Sequence, residues 1–157
     1  MKVAIGSDHI AVDLKASLIQ HLKDRYDVVD AGTDSGQRID YQDVAWKVTQ
    51  MHAAGQCDRG ILLCGTGVGM SLAANAAAGI RAVVCSEPYT ARMSRLHNDT
   101  NVLCMGSRVI GHELAKMIAD VWLETAFEGG RHKTRIDAIM ERRQHGEDPA
   151  APRQAVE

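Results

Sequence analysis

None of the four cysteines, Cys57, Cys64, Cys85 and Cys104, stands in a C-x-x-C pair, and a chain of 157 residues does not need covalent staples. They read as reduced thiols, which points to a cytoplasmic protein. No run of five or more like charges occurs and the net charge is -2, so the electrostatic footprint of a nucleic-acid or anionic-membrane binder is missing. No stretch reaches membrane-spanning length. The opening segment, Met1 to His9, has too short an apolar run before its charges for a secretory signal. No internal repeat, low-complexity block or second domain is present. No two histidines stand at a spacing that would put them on one helix face beside a carboxylate, so no metal site is expected.

What remains is the material of a single core. Hydrophobic residues make up 45% and charged residues 24%, which leaves little room for long disordered tracts. A chain of this length buries roughly two thirds of the surface that it exposes when unfolded. The expected domain covers residues 1–146, and the segment 147–157, with its two prolines, is expected to be a poorly ordered tail.

Apolar, β-branched runs alternate with segments of helical period. Lys2 to Ile5 leads into Val12, Leu14, Leu18, Ile19 and Leu22, and Asp27 to Asp30 into a helix around Val44 to Met51. Gly60 to Cys64 leads into a helix from about Val68 to Ala78, and Ile80 to Cys85 into one near Tyr89 to Leu96. Asn101 to Met105 precedes a helix from about His112 to Phe127, and a last amphipathic segment runs from about Lys133 to Arg143. This rhythm predicts an α/β fold: a three-layer α/β/α sandwich around a doubly wound, five-stranded parallel sheet, Rossmann-like in type. Ligands of such folds bind beyond the carboxyl ends of the strands. Those ends carry Gly6 to His9, Cys64 to Gly69, Ser86-Glu87 and Gly106 to Arg108.

The segment Gly60-Ile-Leu-Leu-Cys64-Gly65-Thr66-Gly67-Val68-Gly69-Met70 carries the most information. A glycine-rich turn lets backbone N–H groups approach an anion, and the helix that follows adds its positive end. A dinucleotide fingerprint fails on register, because its third glycine would fall at Met70. A cysteine phosphatase loop fails on charge, because Met70 stands where its arginine would be. A tight turn that only packs helix on strand stays open as an alternative. Cys64 sits at the strand end, where the same N–H groups would favour a thiolate able to act as a base. Cys57, Cys85 and Cys104 read as buried apolar thiols.

Asp8 and His9 follow the first strand directly, where short polar side chains meet a ligand or cap the next helix. His97-Asn98-Asp99 forms a polar turn before the fifth strand. Arg131 and Arg135 lie one helical turn apart after Gly129-Gly130, a pairing that suits phosphate or a solvated basic face.

With these residues assembled, the chain resembles the ribose-5-phosphate isomerase B family, which includes the galactose-6-phosphate isomerase subunits. The resemblance runs from Met1 to about Arg143 and is carried by several ordered motifs. They are Gly6-Ser-Asp-His9, Asp40-Tyr41, Gly60 to Gly69, Gly79 to Tyr89, His97 to Asn101, Gly106-Ser-Arg108 and Glu128-Gly-Gly-Arg-His132. It implies an isomerase of ribose 5-phosphate and ribulose 5-phosphate that works through a cis-enediol without metal or organic cofactor. The subunits would form homodimers or homotetramers with shared sites. On matching positions it implies Cys64 as the base and His97 as the residue that opens the furanose ring. Gly65, Thr66, Gly67, Val68 and Gly69 with Asn98 would stabilise the enediolate. Asp8 and His9 would contact substrate, and Arg108, Arg131 and Arg135 would bind it, chiefly at phosphate. Ile10-Ala11-Val12-Asp13 and Gln42 depart from the family pattern; the first adds bulk near the phosphate region and the second loosens a turn. A four- or six-carbon sugar phosphate, such as allose or galactose 6-phosphate, is the alternative substrate. A non-catalytic phosphate-binding module is the alternative from another class.

Overall fold

The computed structural model describes residues 1–144. The expected tail over 147–157 lies outside the described residues, as do the last two residues of the expected domain. In chain order the elements are β1 (Lys2–Ser7), α1 (Val12–Leu22), β2 (Asp27–Asp30), α2 (Tyr41–Ala53), β3 (Arg59–Cys64) and α3 (Val68–Asn75). They continue with β4 (Ala82–Val84), α4 (Pro88–Asn98), β5 (Val102–Gly106), α5 (His112–Glu124) and α6 (Arg131–Gln144).

All strand pairs are parallel, in the order β2-β1-β3-β5-β4. The three central strands read as continuous apolar runs because both of their faces are covered. Alternate residues serve opposite faces. Val3, Ile5, Ile61, Leu63, Leu103 and Met105 pack under α1 and α5, whose Leu14, Leu18, Leu22, Ile118 and Trp122 recur at helical period. Ala4, Leu62, Cys64, Val102 and Cys104 pack under α2 and α3 through Val44, Val48, Met70 and Ala74. The result is the three-layer, doubly wound sandwich that the alternation of runs predicts.

Element ends differ where side chains intervene. β4 is shorter than the run Ile80 to Cys85: the Arg81 N–H before it donates to the Asn101 side chain at 2.8 Å, and Asn75 brackets Ala82, donating to its carbonyl at 2.9 Å and accepting from its N–H at 2.8 Å. α3 ends at Asn75, before the expected Ala78. α4 begins at Pro88 because the Glu87 carboxylate accepts from the N–H groups of Tyr89 and Thr90.

Two features tie loops to this frame. Lys15 is fully buried in α1, and its ammonium donates to both Asp30 oxygens at 2.7 and 2.6 Å and to Asp34 at 2.6 Å. The loop after β2 is thereby pinned to α1. Arg95, buried in α4, donates to the carbonyls of Thr100 and Thr125 and to Asp99, and its guanidinium lies over the Trp122 ring at 5.9 Å. Trp122 in turn donates to Thr100 at 2.9 Å.

Candidate active site

β1 and β3 are neighbours, but the chain leaves β1 toward β2 on one side and β3 toward the β5-β4 side on the other. The divergence opens a crevice at their carboxyl ends, where doubly wound folds bind ligands. Cys64, Asp8 and His9 stand there.

Cys64 closes β3 on the α2–α3 face and is 6% exposed. The chain then turns through Gly65 and Thr66 to Gly67, whose left-handed φ of 82° starts α3. A side chain at Gly67 would begin 3.1 Å from the Met105 backbone, so both conformation and space call for glycine. The turn folds back so that the Gly67 N–H donates to Cys64 Sγ at 3.1 Å. Thr66 and Val68 are exposed at its rim, and the Tyr41 ring lies against Gly69.

The β5 end is laced to this turn. Ser107 N–H donates to the Cys64 carbonyl at 2.9 Å and Arg108 N–H to the Gly65 carbonyl at 3.1 Å, with the exposed Arg108 side chain running past Gly65. Across the crevice, Asp8 is 5% exposed and accepts from the Ile10 N–H at 2.9 Å. His9 Nδ1 accepts from the Ile39 N–H at 3.4 Å. A neutral ring accepting at Nδ1 carries its proton on Nε2, which leaves a donor for an anion.

Burial pushes the Cys57 thiol up, the Cys85 thiol up to about 12, and the Cys104 thiol well above the ordinary range. None of the three lies in the glycine turn, and all read as packing residues.

The remaining expected residues lie elsewhere. α4 runs back across the sheet, so His97 and Asn98 reach the amino edge, just before β5. β5 spans five residues, so the two edges stand about 16 Å apart at roughly 3.3 Å per residue. Arg131 and Arg135 open α6, exposed, beside His97. One chain thus gathers Asp8, His9, Cys64 to Gly69 and Arg108 at one edge and His97, Asn98, Arg131 and Arg135 at the other.

The amino-edge group contains two residues that spacing within a single helix does not reveal. His132 of α6 stacks on His97 of α4 with ring centroids 4.2 Å apart, and the Glu128 carboxylate lies 3.7 Å from one Nε2 and 3.9 Å from the other. In the sequence His132 stands in the basic cluster with Arg131 and Arg135 after Gly129-Gly130, and Glu128 only in the ordered motif Glu128-Gly-Gly-Arg-His132. Tyr41 likewise entered only through Asp40-Tyr41.

Similarity to known proteins extends over nearly the whole described chain. A family model described as Ribose/Galactose Isomerase matches residues 3–139. Ribose-5-phosphate isomerase B of Escherichia coli is 58% identical over 139 residues, covering 88% of this chain and 93% of that one. D-erythrulose-4-phosphate isomerase of Pectobacterium atrosepticum is 41% identical over 141 residues, covering 88% and 93%. Among solved structures, ribose-5-phosphate isomerase B of Clostridium thermocellum superposes with a TM-score of 0.91 at 49% identity, covering 94% of this chain and 100% of that one. The Mycoplasma genitalium enzyme with bound ribulose-5-phosphate superposes with a TM-score of 0.86 at 38% identity, covering 91% and 96%.

Proposed function

The chain belongs to the ribose/galactose isomerase family, and from that premise we propose that it interconverts ribose 5-phosphate and ribulose 5-phosphate with Cys64 as the base. The observation that carries the mechanism is Cys64 Sγ at the carboxyl end of β3, held against the Gly67 N–H of the glycine turn.

The opened aldose lies in the crevice with C2 toward Cys64. The thiolate takes the C2 proton, and charge moves onto O1 as the enediolate forms. Backbone N–H groups of Gly65 to Gly69 stabilise that oxyanion without rearranging. The proton returns at C1 while the O2 hydroxyl proton passes to O1, and the ketose results. Removing a proton α to a carbonyl in this way needs a positioned base and an oxyanion clamp. Asp8 and His9 orient the sugar, and Arg108 reaches over the turn.

Ring opening and phosphate binding are assigned to His97, Asn98, Arg131 and Arg135 of a second copy of the chain. This follows from the separation of the two edges, since one copy cannot bring its own His97 to its own Cys64. The working unit is a homodimer or a pair of dimers, and four unpaired thiols suit a reducing cytoplasm.

The test is conversion of ribose 5-phosphate in heavy water, which yields ribulose 5-phosphate carrying solvent deuterium at C1. A protein that binds the sugar phosphate but neither converts nor labels it is a binding module, and the proposal fails. A relative named for erythrulose 4-phosphate supports a four-carbon substrate as the second reading. Rates across four-, five- and six-carbon aldose phosphates decide between them.

A further inference from the structure

Glu128 and His132 form a compact group with His97 that the isomerase mechanism has not used. The chain reverses through Gly129 and Gly130, whose φ values of 73° and 54° bring the first turn of α6 against the last turn of α4. The Glu128 N–H donates to the Leu96 carbonyl at 3.0 Å, which anchors this reversal one residue before His97.

The geometry on His97 is specific. His132 lies face to face with it, the planes inclined by 10°. The Glu128 Oε2 sits 3.7 Å from His97 Nε2, which is ion-pair range and too long for a hydrogen bond. The His132 side chain is 9% exposed and its Nε2 has no hydrogen-bond partner. Burial and the neighbouring His97 hold the His132 imidazole below the ordinary histidine range, although Glu128 opposes this. Stacking of the two rings holds each in the plane of the other.

The three donor atoms lie within 4.8 Å of one another. A metal cage needs lone pairs converging on one point, whereas parallel rings aim theirs side by side. The arrangement suits a support for a proton-carrying imidazole. His97 itself exposes 37% of its side chain, so without such support its ring would turn freely.

We infer that His132 and Glu128 are positioning residues for ring opening: His132 fixes the plane of the His97 imidazole by stacking, and Glu128, in ion-pair range of its Nε2, holds that edge of the ring by charge. This rests on the isomerase reading above. In the step they serve, the C1–O4 bond of the furanose breaks and O4 takes a proton from the His97 imidazole. The C1 hydroxyl proton passes to solvent, which afterwards restores His97. No oxidant or reductant takes part.

Ribulose 5-phosphate separates this step from the chemistry at Cys64. Its carbonyl at C2 cannot close on a phosphorylated O5, so exchange of its C1 hydrogen with solvent deuterium needs the base but no ring opening. The experiment measures ribose 5-phosphate turnover and ribulose 5-phosphate exchange for the full chain and for Glu128→Gln, His132→Ala and His132→Phe, with thermal unfolding as the check on folding. Glu128→Gln and His132→Ala should lose about tenfold or more in kcat on ribose 5-phosphate with KM little changed, while exchange stays near wild type. His132→Phe, which keeps a stacking face, should recover most of the turnover. Unchanged turnover in both Glu128→Gln and His132→Ala overturns the inference, as does a parallel loss of exchange. Should His132→Ala not fold, the exposed Glu128 site decides the matter. A wild-type protein that neither turns over nor exchanges defeats the isomerase reading instead, a different and recognisable result.

Discussion

The backbone N–H of Gly67 donates to Sγ of Cys64 at 3.1 Å, so the last residue of β3 and the residue that caps α3 hold one another in place. Because Gly67 has a φ of 82° and no room beside the Met105 backbone, this contact depends on glycine. Gly67→Ala should destabilise the fold by about 1–2 kcal/mol from the left-handed conformation alone, and should lower kcat as well, since the N–H is displaced from the sulfur. Thermal unfolding and turnover of the same sample check both effects. A Gly67→Ala protein with wild-type kcat would separate the turn from catalysis.

Arg131 and Arg135 stand on one face of the first turn of α6, and we assign them to the substrate phosphate. Arg131→Ala should raise KM for ribose 5-phosphate about tenfold or more, following the ~1.5–3 kcal/mol of a hydrogen bond to a charged group, with kcat less affected. Steady-state kinetics decide it. An unchanged KM excludes Arg131 from the phosphate site.

The separation of the two edges makes a prediction that needs no structure of the assembly. Cys64→Ala and His97→Ala should each be inactive alone. Mixed under conditions of subunit exchange, they should regain part of the activity, because a mixed dimer holds one intact Cys64–His97 pair. Verified exchange without recovered activity refutes the shared site.

Acid should loosen the loop that carries Ile39 to His9. The Lys15 ammonium, by hydrogen bond and by charge, holds the Asp34 carboxyl below the usual carboxylate range. A depressed carboxyl contributes stability that is present above its unfolded value, about 3.9, and is lost as pH falls through the folded one. Asp34→Asn should thus lower Tm near neutral pH, and its difference from wild type should shrink below about pH 4. A difference that stays constant down to about pH 3 would show that the tether does not contribute.

Much of this architecture was legible in the sequence, for physical reasons. Buried parallel strands must be apolar on both faces, so β1, β3 and β5 appear as uninterrupted runs, and the glycine turn after Cys64 marks a strand end directly. Strand order was not legible, because it is set by which faces α1 and α2 cover. Nor was the short β4, where the side chains of Asn101 and Asn75 meet the backbone of Arg81 and Ala82 from outside the strand. Asp8, His9 and Cys64 could be placed at the ligand-binding edge because each stands at the carboxyl end of a strand, and the fold then shows that the two strands are neighbours. His97, Glu128 and His132 could not be grouped from the sequence, since their meeting depends on how the α5–α6 connection folds back on α4. The resemblance named Cys64 and His97 together, whereas the fold puts them at opposite edges, and the shared site proposed above would join them across two copies of the chain.

The most decisive prediction concerns Cys64. Of the four thiols, Cys57, Cys85 and Cys104 are pushed up by burial, while Cys64 alone receives a hydrogen bond from the glycine turn. Iodoacetamide should therefore inactivate the enzyme as one equivalent of label appears on Cys64, and saturating ribose 5-phosphate should protect it. Loss of a positioned base costs roughly 10²–10⁴ in rate, so Cys64→Ala should lose that much while Cys57→Ala and Cys104→Ala stay near wild type. Packing must be separated from chemistry, because Cys64 also lines the core beneath α2 and α3. Cys64→Ser keeps the size and a hydrogen-bond acceptor but is a far weaker base at neutral pH, so it should fold as wild type and remain slow. If a folded Cys64→Ser or Cys64→Ala protein turns over at the wild-type rate, the base is another group, and the crevice between β1 and β3 has to be searched again for it.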